Sequence, residues 1–381
     1  MPASAQSPLV RIEGKRFIAP DGRVLHIKGI SLGNWLMPEG YMFKFEVAKA
    51  PHQIYGAFDR LLGPEKAAAF WKQYRDTYIA RDDIEFIASA GFNTVRIPLH
   101  WNLFMTPDGK MTGEGWALLD RVLGWLKEAG LLAIVDLHAA PGGQTGINHD
   151  DGPGYPLMFY VPRDRDLTVK LWQAIAQRYR GNPTILGYDL LNEPIAPYHD
   201  IATLNPRLEP FFRRVTEAIR AVDPGRIVFL AAGQWSSSFD MFGPPFAPNL
   251  AYTYHSFWAS TKRDSIQRHL NFSERYNVPL FLGETGELTD DWNAGFRKLH
   301  EAHDIGWSFW TYKNLDSPST VVSIPRPEGW NEIVAYADGH GPKPSDALIE
   351  KAMAQYLAGM PVKNATVRWS YLASLGLKDA P

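Results

Sequence analysis

The chain has 381 residues, 45% of them hydrophobic and 21% charged, which is enough apolar material for a large core. A net charge of −2 leaves no electrostatic footprint for nucleic acid or an anionic membrane, and no apolar run reaches the roughly 18 residues of a membrane span. With no cysteine, disulfides, thiol nucleophiles and thiolate-bound metals are excluded.

Residues 1–23 read as an N-terminal segment and hairpin cap. Met1 to Gln6 lacks the apolar region of an export signal, but Ala3-Ser4-Ala5 has the small-x-small form of a cleavage site. A secreted or periplasmic protein with its leader removed is therefore expected. Residues 9–28 alternate apolar and polar around Glu13-Gly14-Lys15 and Pro20-Asp21-Gly22, the pattern of a β-hairpin. A first strand ends near Gly33-Asn34-Trp35, and after a long loop residues 64–90 have helical periodicity. Strands are then predicted over 92–98, 131–138, 185–192, 227–231, 250–255, 279–283 and 307–312. Helices fall over 116–129, 167–180, 208–222, 264–276, 290–303 and 345–357. Eight strands alternating with helices predict an α/β fold, a single (β/α)8 TIM barrel over 24–360, with 361–381 as a C-terminal extension packed on it. A doubly wound sheet is the alternative, but no G-x-G-x-x-G or Walker loop is present. Long loops near 36–63, 139–165 and 313–341 all follow strand ends and crowd one face, as a substrate cleft requires.

Two stretches share one design. Ile185 to Leu191 is a mostly apolar run that ends in Asn192-Glu193 and is stopped by Pro194, while Pro279 to Gly283 ends in Glu284. A carboxylate where a buried parallel strand stops sits at the mouth of a barrel. The predicted strand ends present Trp35, Arg96, His138, Asn192 with Glu193, His255, Glu284 and Trp310, and polar groups there are costly to bury without a purpose. Asp136 and Asp189 lie further inward and are assigned structural hydrogen bonds. The set suits glycoside hydrolysis, which uses one carboxylic acid to protonate the leaving oxygen and one carboxylate as nucleophile or base. Arg96 can hold one Glu ionised while burial keeps the other protonated. Chemistry at this level does not say which Glu does which. The 13 Trp, 16 Tyr and 20 Phe are mostly core, and the Trp excess also suits platforms for sugar rings.

Asn192-Glu193-Pro194, the Gly283-Glu284 strand end, Asn93-Thr94-Val95-Arg96, Asp136-Leu137-His138 and Trp307-Ser308-Phe309-Trp310 together resemble glycoside hydrolase family five, the cellulase family. The resemblance runs in order from about residue 24 to 312. It implies a (β/α)8 barrel and a retaining mechanism, with Glu193 as acid/base and Glu284 as nucleophile. It also implies that Arg96 orients the nucleophile, that Asn192 binds the substrate 2-hydroxyl, and that His138, His255 and Trp310 line the subsite. One departure stands out: the family usually has His-x-Tyr after strand six, and here the stretch is His255-Ser256-Phe257. Leu32 to Leu36 with Glu39, and Ala140 to Gly146, are similar to segments of exo-acting β-1,3-glucanases. That likeness implies Glu39, Asn148 and His149 as contacts to the first sugar, closing the cleft into a pocket. Endo action of cellulase, mannanase or glycoceramidase type and a non-catalytic carbohydrate-binding barrel are the alternatives. The expected partner is a carbohydrate, the expected state a monomer, and no cofactor or metal is expected.

Three other motifs compete. Gly29-Ile30-Ser31-Leu32-Gly33 matches a nucleophile elbow, but Asn34-Trp35 leads to Pro38 rather than straight into a helix. His300 and His303 lie on a helix facing away from the predicted mouth, and H-E-x-x-H is absent. Asn148-His149-Asp150-Asp151-Gly152 has calcium-loop chemistry, though a polar turn or a sugar-binding loop is the better account of it.

Overall fold

In the computed structural model, which describes residues 9–378, eight parallel strands close into a barrel. Strands β1 (Arg11–Glu13) and β2 (Arg16–Ile18) lie outside it as an antiparallel hairpin. The barrel comprises β3 (Lys28–Ser31), β4 (Thr94–His100), β5 (Leu132–Ala139) and β6 (Ile185–Asp189). It continues with β7 (Ile227–Ala231), β8 (Leu250–His255), β9 (Leu280–Gly286) and β10 (Gly306–Trp310), and β10 pairs with β3 to close the ring. Both faces of these strands are covered, which is why they read as near-continuous apolar runs rather than alternating ones.

Some boundaries differ from the sequence reading. Residues 64–90 are two helices, Pro64–Thr77 and Arg81–Ala90, and a further helix, Pro51–Leu62, occupies part of the preceding loop. Gly63 takes φ +79° and Pro64 supplies a fixed first-turn φ, so one helix ends and the next begins there. Ala80 is extended, and its N–H donates to the Asp83 carboxylate at 2.8 Å. Strand β4 runs on to His100, which leaves Arg96 inside the barrel rather than at its lip. Strand β6 stops at Asp189, so Asn192 and Glu193 stand on a bend above it, Glu193 with φ +44°.

The hairpin closes the bottom of the barrel. Val10 and Phe17 pack with Ile27, Ile134, Leu186, Ile227, Phe229, Ala251 and Phe281 in a cluster separate from the main core. Phe17 stacks on Phe229 at 5.9 Å, and the Ile12 N–H donates to the Asn249 side chain at 3.0 Å. The chain beyond β10 adds β11 (Lys313–Leu315), β12 (Val322–Ile324) and β13 (Thr366–Val367), a small second sheet. Helix Trp369–Ser374 packs against helix Asp290–Glu301 and buries Tyr371 and Leu372. Lys313 is fully buried, its ammonium 2.6 Å from Asp83 and 2.8 Å from the Tyr78 carbonyl. Among the described residues no helix is long and apolar enough to cross a membrane.

Candidate active site

The site is built around one guanidinium. Arg96, sealed from solvent, donates from Nε and Nη2 to Asp189 Oδ2 at 3.1 and 3.0 Å and from Nη2 to Asn192 Oδ1 at 2.9 Å. Nη2 also lies 3.0 Å from Asp136 Oδ1, and Nη1 donates to Glu284. Burial works against the Arg96 charge, but Asp136, Glu284 and Asp189 outweigh it and hold the cation more firmly than usual. Burial in turn raises Asp136 to about 6 and Asp189 to about 7, against the pull of Arg96. The structural hydrogen bonding expected of these two Asp residues is therefore the seat of the cation.

Burial lowers His138 to about 3, so its ring is neutral. Its Nδ1 bonds Asp136 at 2.8 Å, which assigns that nitrogen the proton and turns the Nε2 lone pair to the Asn192 amide at 3.3 Å. The ring stacks on Trp310 at 5.5 Å. Gly33 lets Trp310 lie there, because a Cβ at that position would meet its ring at 2.6 Å. Similarly, a Cβ on Gly283 would come within 2.9 Å of His255 Nε2. Gln144 ties the two neighbouring strand ends together, donating to the carbonyls of His138 at 2.7 Å and Asn192 at 2.8 Å.

Above this floor the two Glu residues converge. An oxygen of Glu193, an oxygen of Glu284 and a ring nitrogen of His255 all lie within 4.8 Å of one another. His255 Nδ1 sits 2.9 Å from Glu193 Oε1 and 3.7 Å from Glu284 Oε2. His149 Nε2 lies 3.1 Å from Glu193 Oε2. Burial pushes the Glu193 carboxyl up, but the two histidines overcome it and leave it well below the usual carboxylate range. For His149, burial is outweighed by Glu193 and Glu39, which raise it to about 9. These three donors could reach one metal ion, but Arg96 already neutralises Glu284 and the histidines face Glu193, so a cation would have to displace both.

The cavity holding this cluster measures about 800 Å³ and is also lined by Glu39, Tyr41, Asn148, His149, Glu287 and Trp310. Glu39 is 8% exposed with one carboxyl oxygen unpartnered, and burial raises it to about 8. The loop bearing Asn148 and His149 is pinned from below. Asp150 accepts from the N–H groups of Thr145, Gly146 and Gly152 at 2.7–2.8 Å, and Asp151 pairs with His52 and His100 at 2.7 and 2.9 Å. Both acids are thus committed to the protein, which favours a sugar-binding loop over a calcium loop.

The profile of the family described as cellulase (glycosyl hydrolase family 5) matches residues 60–316. A "probable glucan 1,3-beta-glucosidase A" of Aspergillus fumigatus is 31% identical over 84% of this chain and 88% of its own length. A "beta-xylosidase" of Phanerodontia chrysosporium is 28% identical over 80% of this chain and 71% of its own. The chain belongs to glycosyl hydrolase family 5. It is a β-glycoside hydrolase on the (β/α)8 barrel of that family. Among solved structures, an endogalactoceramidase shares the fold with a TM-score of 0.63 at 18% identity, covering 92% of this chain and 84% of that one.

Most residues that the sequence singled out meet in this family 5 site: Glu193, Glu284, Arg96, His138, Asn192, His255, Trp310, Glu39, Asn148 and His149. Trp35 does not. It is core, 1% exposed, and its indole N–H donates to the Arg75 carbonyl at 2.8 Å, because β3 ends four residues earlier and the chain turns outward. Ser31 is buried against Ser308 and leads into no elbow helix. His300 and His303 each bond a carbonyl of their own helix. No tyrosine hydroxyl bonds Glu284 among the described residues. The Tyr41 hydroxyl accepts from Trp310 Nε1 at 2.6 Å and donates to Glu287 at 2.8 Å. Tyr41, Gln144 and Glu287 were missed, although Tyr41 and Glu287 lie two and three residues after Glu39 and Glu284.

Proposed function

We propose that this family 5 enzyme is a retaining β-glucosidase of exo type, with Glu284 as nucleophile and Glu193 as acid/base. The observation that carries the reading is the approach of their carboxyl oxygens to within 4.8 Å. Double displacement works with carboxyls about 5–5.5 Å apart, and an inverting enzyme needs about 6.5–9.5 Å for its water. Arg96 orients Glu284 for attack on the anomeric carbon, while a proton held among Glu193, His149 and His255 goes to the leaving oxygen. In the second half Glu193 takes a proton from the incoming water, and the bond to Glu284 breaks. Asn192, oriented by Arg96 and faced by neutral His138, is placed to bind the 2-hydroxyl.

Exo action is supported by Glu39, which lines the cavity near His149. Glu39 has an unpartnered buried oxygen there, and a carboxyl accepting two sugar hydroxyls is selective, because an analogue lacking them leaves it unpaired. The two relatives named for glucan 1,3-β-glucosidase and β-xylosidase action agree with release of single sugars from a chain end. The test is the product of laminarin digestion: glucose alone at early times, first as the β-anomer. Glu39→Ala is expected to cost about 10- to 100-fold in kcat/KM, the worth of roughly two hydrogen bonds to a neutral carboxyl. Mixed oligosaccharides would make an endo-glycanase the better reading, and an α-product would end the retaining one. A monomer acting outside the cytoplasm fits a polymeric substrate, and gel filtration with cell fractionation tests that part.

A further inference from the structure

Strand order round the barrel, β10-β3-β4-β5-β6-β7-β8-β9, sets the order in which side chains meet a sugar at its mouth. Asn192 stands above β6, His138 lies at the end of β5, and His149 follows that strand. Glu39 and Tyr41 follow β3, Trp310 ends β10, Glu284 lies in β9, and Glu287 comes directly after it. From β4, His100 is bonded to Asp151 and does not line the cavity. A pyranose ring has an equally fixed order. With C1 at Glu284 and the 2-hydroxyl at Asn192, the arc over β7 and β8 is left to the leaving group. C3, C4 and C5 then follow in turn over β5, β3 and β10, and the ring oxygen returns to C1. The 3-hydroxyl falls on the side of His138 and His149, the 4-hydroxyl at Glu39, and the substituent on C5 in the corner of Tyr41, Trp310 and Glu287.

That corner holds a carboxyl only half used by the protein. An indole N–H can only donate, so Trp310 Nε1 gives its proton to the Tyr41 oxygen at 2.6 Å, and the Tyr41 hydroxyl passes its own to Glu287 Oε1 at 2.8 Å. The second Glu287 oxygen has no hydrogen-bond partner among the described residues, and the side chain lines the cavity. A strained backbone puts it there. Glu287 has φ +60°, and Gly286 before it has φ +122°, where a Cβ would meet the Trp310 carbonyl at 2.7 Å. Glutamate, unlike Asn or Asp, is not favoured in that region, and such conformations cluster at ligand sites where the surroundings impose them. Burial raises the Glu287 carboxyl to about 7 against the Tyr41 bond, with Glu284 adding to the rise and Lys44, which does not line the cavity, opposing it. A carboxyl balanced near neutrality can donate or accept, which suits a primary hydroxyl.

Resting on the glucosidase reading above, we propose that Glu287 is a specificity-determining residue. It bonds the hydroxyl of the C5 hydroxymethyl group and so selects glucose over xylose, which has no such group. The experiment measures kcat/KM for 4-nitrophenyl β-glucoside, its 6-deoxy analogue and 4-nitrophenyl β-xyloside, which share one leaving group. The glucoside is expected to exceed both others by about tenfold or more, because a site built to bond a hydroxyl is left unpaired when the hydroxyl is missing. In Glu287→Ala both ratios should fall toward one. Glu287→Gln keeps an acceptor for Tyr41 and a partner for the sugar, and should retain most of the preference. A residue that merely held Tyr41 and Trp310 in place would lower all three substrates alike and leave the ratios unchanged. Xyloside turnover by the variant reports that it has folded, and Glu287→Met, which fills the same space without a polar atom, replaces Glu287→Ala if that variant does not fold. Xyloside or 6-deoxyglucoside cleaved by the wild type as well as the glucoside, or ratios unmoved in the apolar variant, overturns the assignment and leaves the retaining mechanism intact. Turnover of none of the three by the wild type overturns the glucosidase reading itself.

Discussion

Glu193 has a histidine on each carboxyl oxygen, an unusual setting for a group that must deliver a proton. Its own carboxyl is held low, and the proton resides on the pair it makes with His149, raised to about 9. Tightly interacting groups titrate as a unit, so the alkaline limb of the pH–rate profile is expected to belong to that pair. The groups facing it are His255, Glu284, Glu39, Asp150 and His138. In His149→Asn the proton is left to Glu193 and His255 alone, and the alkaline limb should move down by about one unit or more. An unmoved limb would show that His149 only touches sugar. The linked stability has the sign of a raised histidine: present in full below about 6.5, and lost as pH rises through about 9. The division of labour between the acids has its own signature. Glu284→Gln should abolish turnover on every substrate. Glu193→Gln should keep the first step on leaving groups that need no protonation, and azide should then capture the glycosyl-enzyme. Reversed behaviour of the two variants exchanges their roles.

Among the elements, the connection from β10 into β11 is anchored by a buried charge. Lys313 is sealed against Asp83 of helix Arg81–Ala90, and the Tyr312 hydroxyl shares the same carboxyl oxygen at 2.9 Å. Removing one partner strands the other, so Asp83→Ala is expected to cost about 3–5 kcal/mol in urea unfolding. Asp83→Leu with Lys313→Met should recover most of it, and equal losses in single and double variants would refute the pair as the cause. Neither residue could be found by periodicity, because each meets its partner only after the barrel has closed. Trp35 shows the same limit from the other side: a strand-end prediction two to four residues long put a core tryptophan in the cleft. Glu193 and Glu284 were legible because an apolar strand followed by a lone carboxylate is a local pattern. Tyr41 and Glu287 were not, because their meaning lies in a contact 246 residues apart.

For the whole molecule, the alternation of strands and helices was enough to read the barrel, and the face carrying the long loops was enough to read where the site lies. What closes the other end was visible only as a hairpin of unstated target. Phe17→Ala should destabilise by about 3–5 kcal/mol through the cavity it leaves, with the kcat of the folded enzyme unaffected, since the plug lies at the opposite end from Glu284. A fall in kcat at a temperature where the variant is folded would mean that the two ends communicate. The plug also bears on how the chain is made. Its hairpin leaves the ribosome well before its receptors, since Phe229, Asn249 and Phe281 come more than 200 residues later. Loops that long close slowly, and unsatisfied apolar surface invites association while it waits. The nascent chain therefore carries an exposed Val10–Phe17 segment until those receiving residues are made, a natural handle for a chaperone that binds short apolar strands.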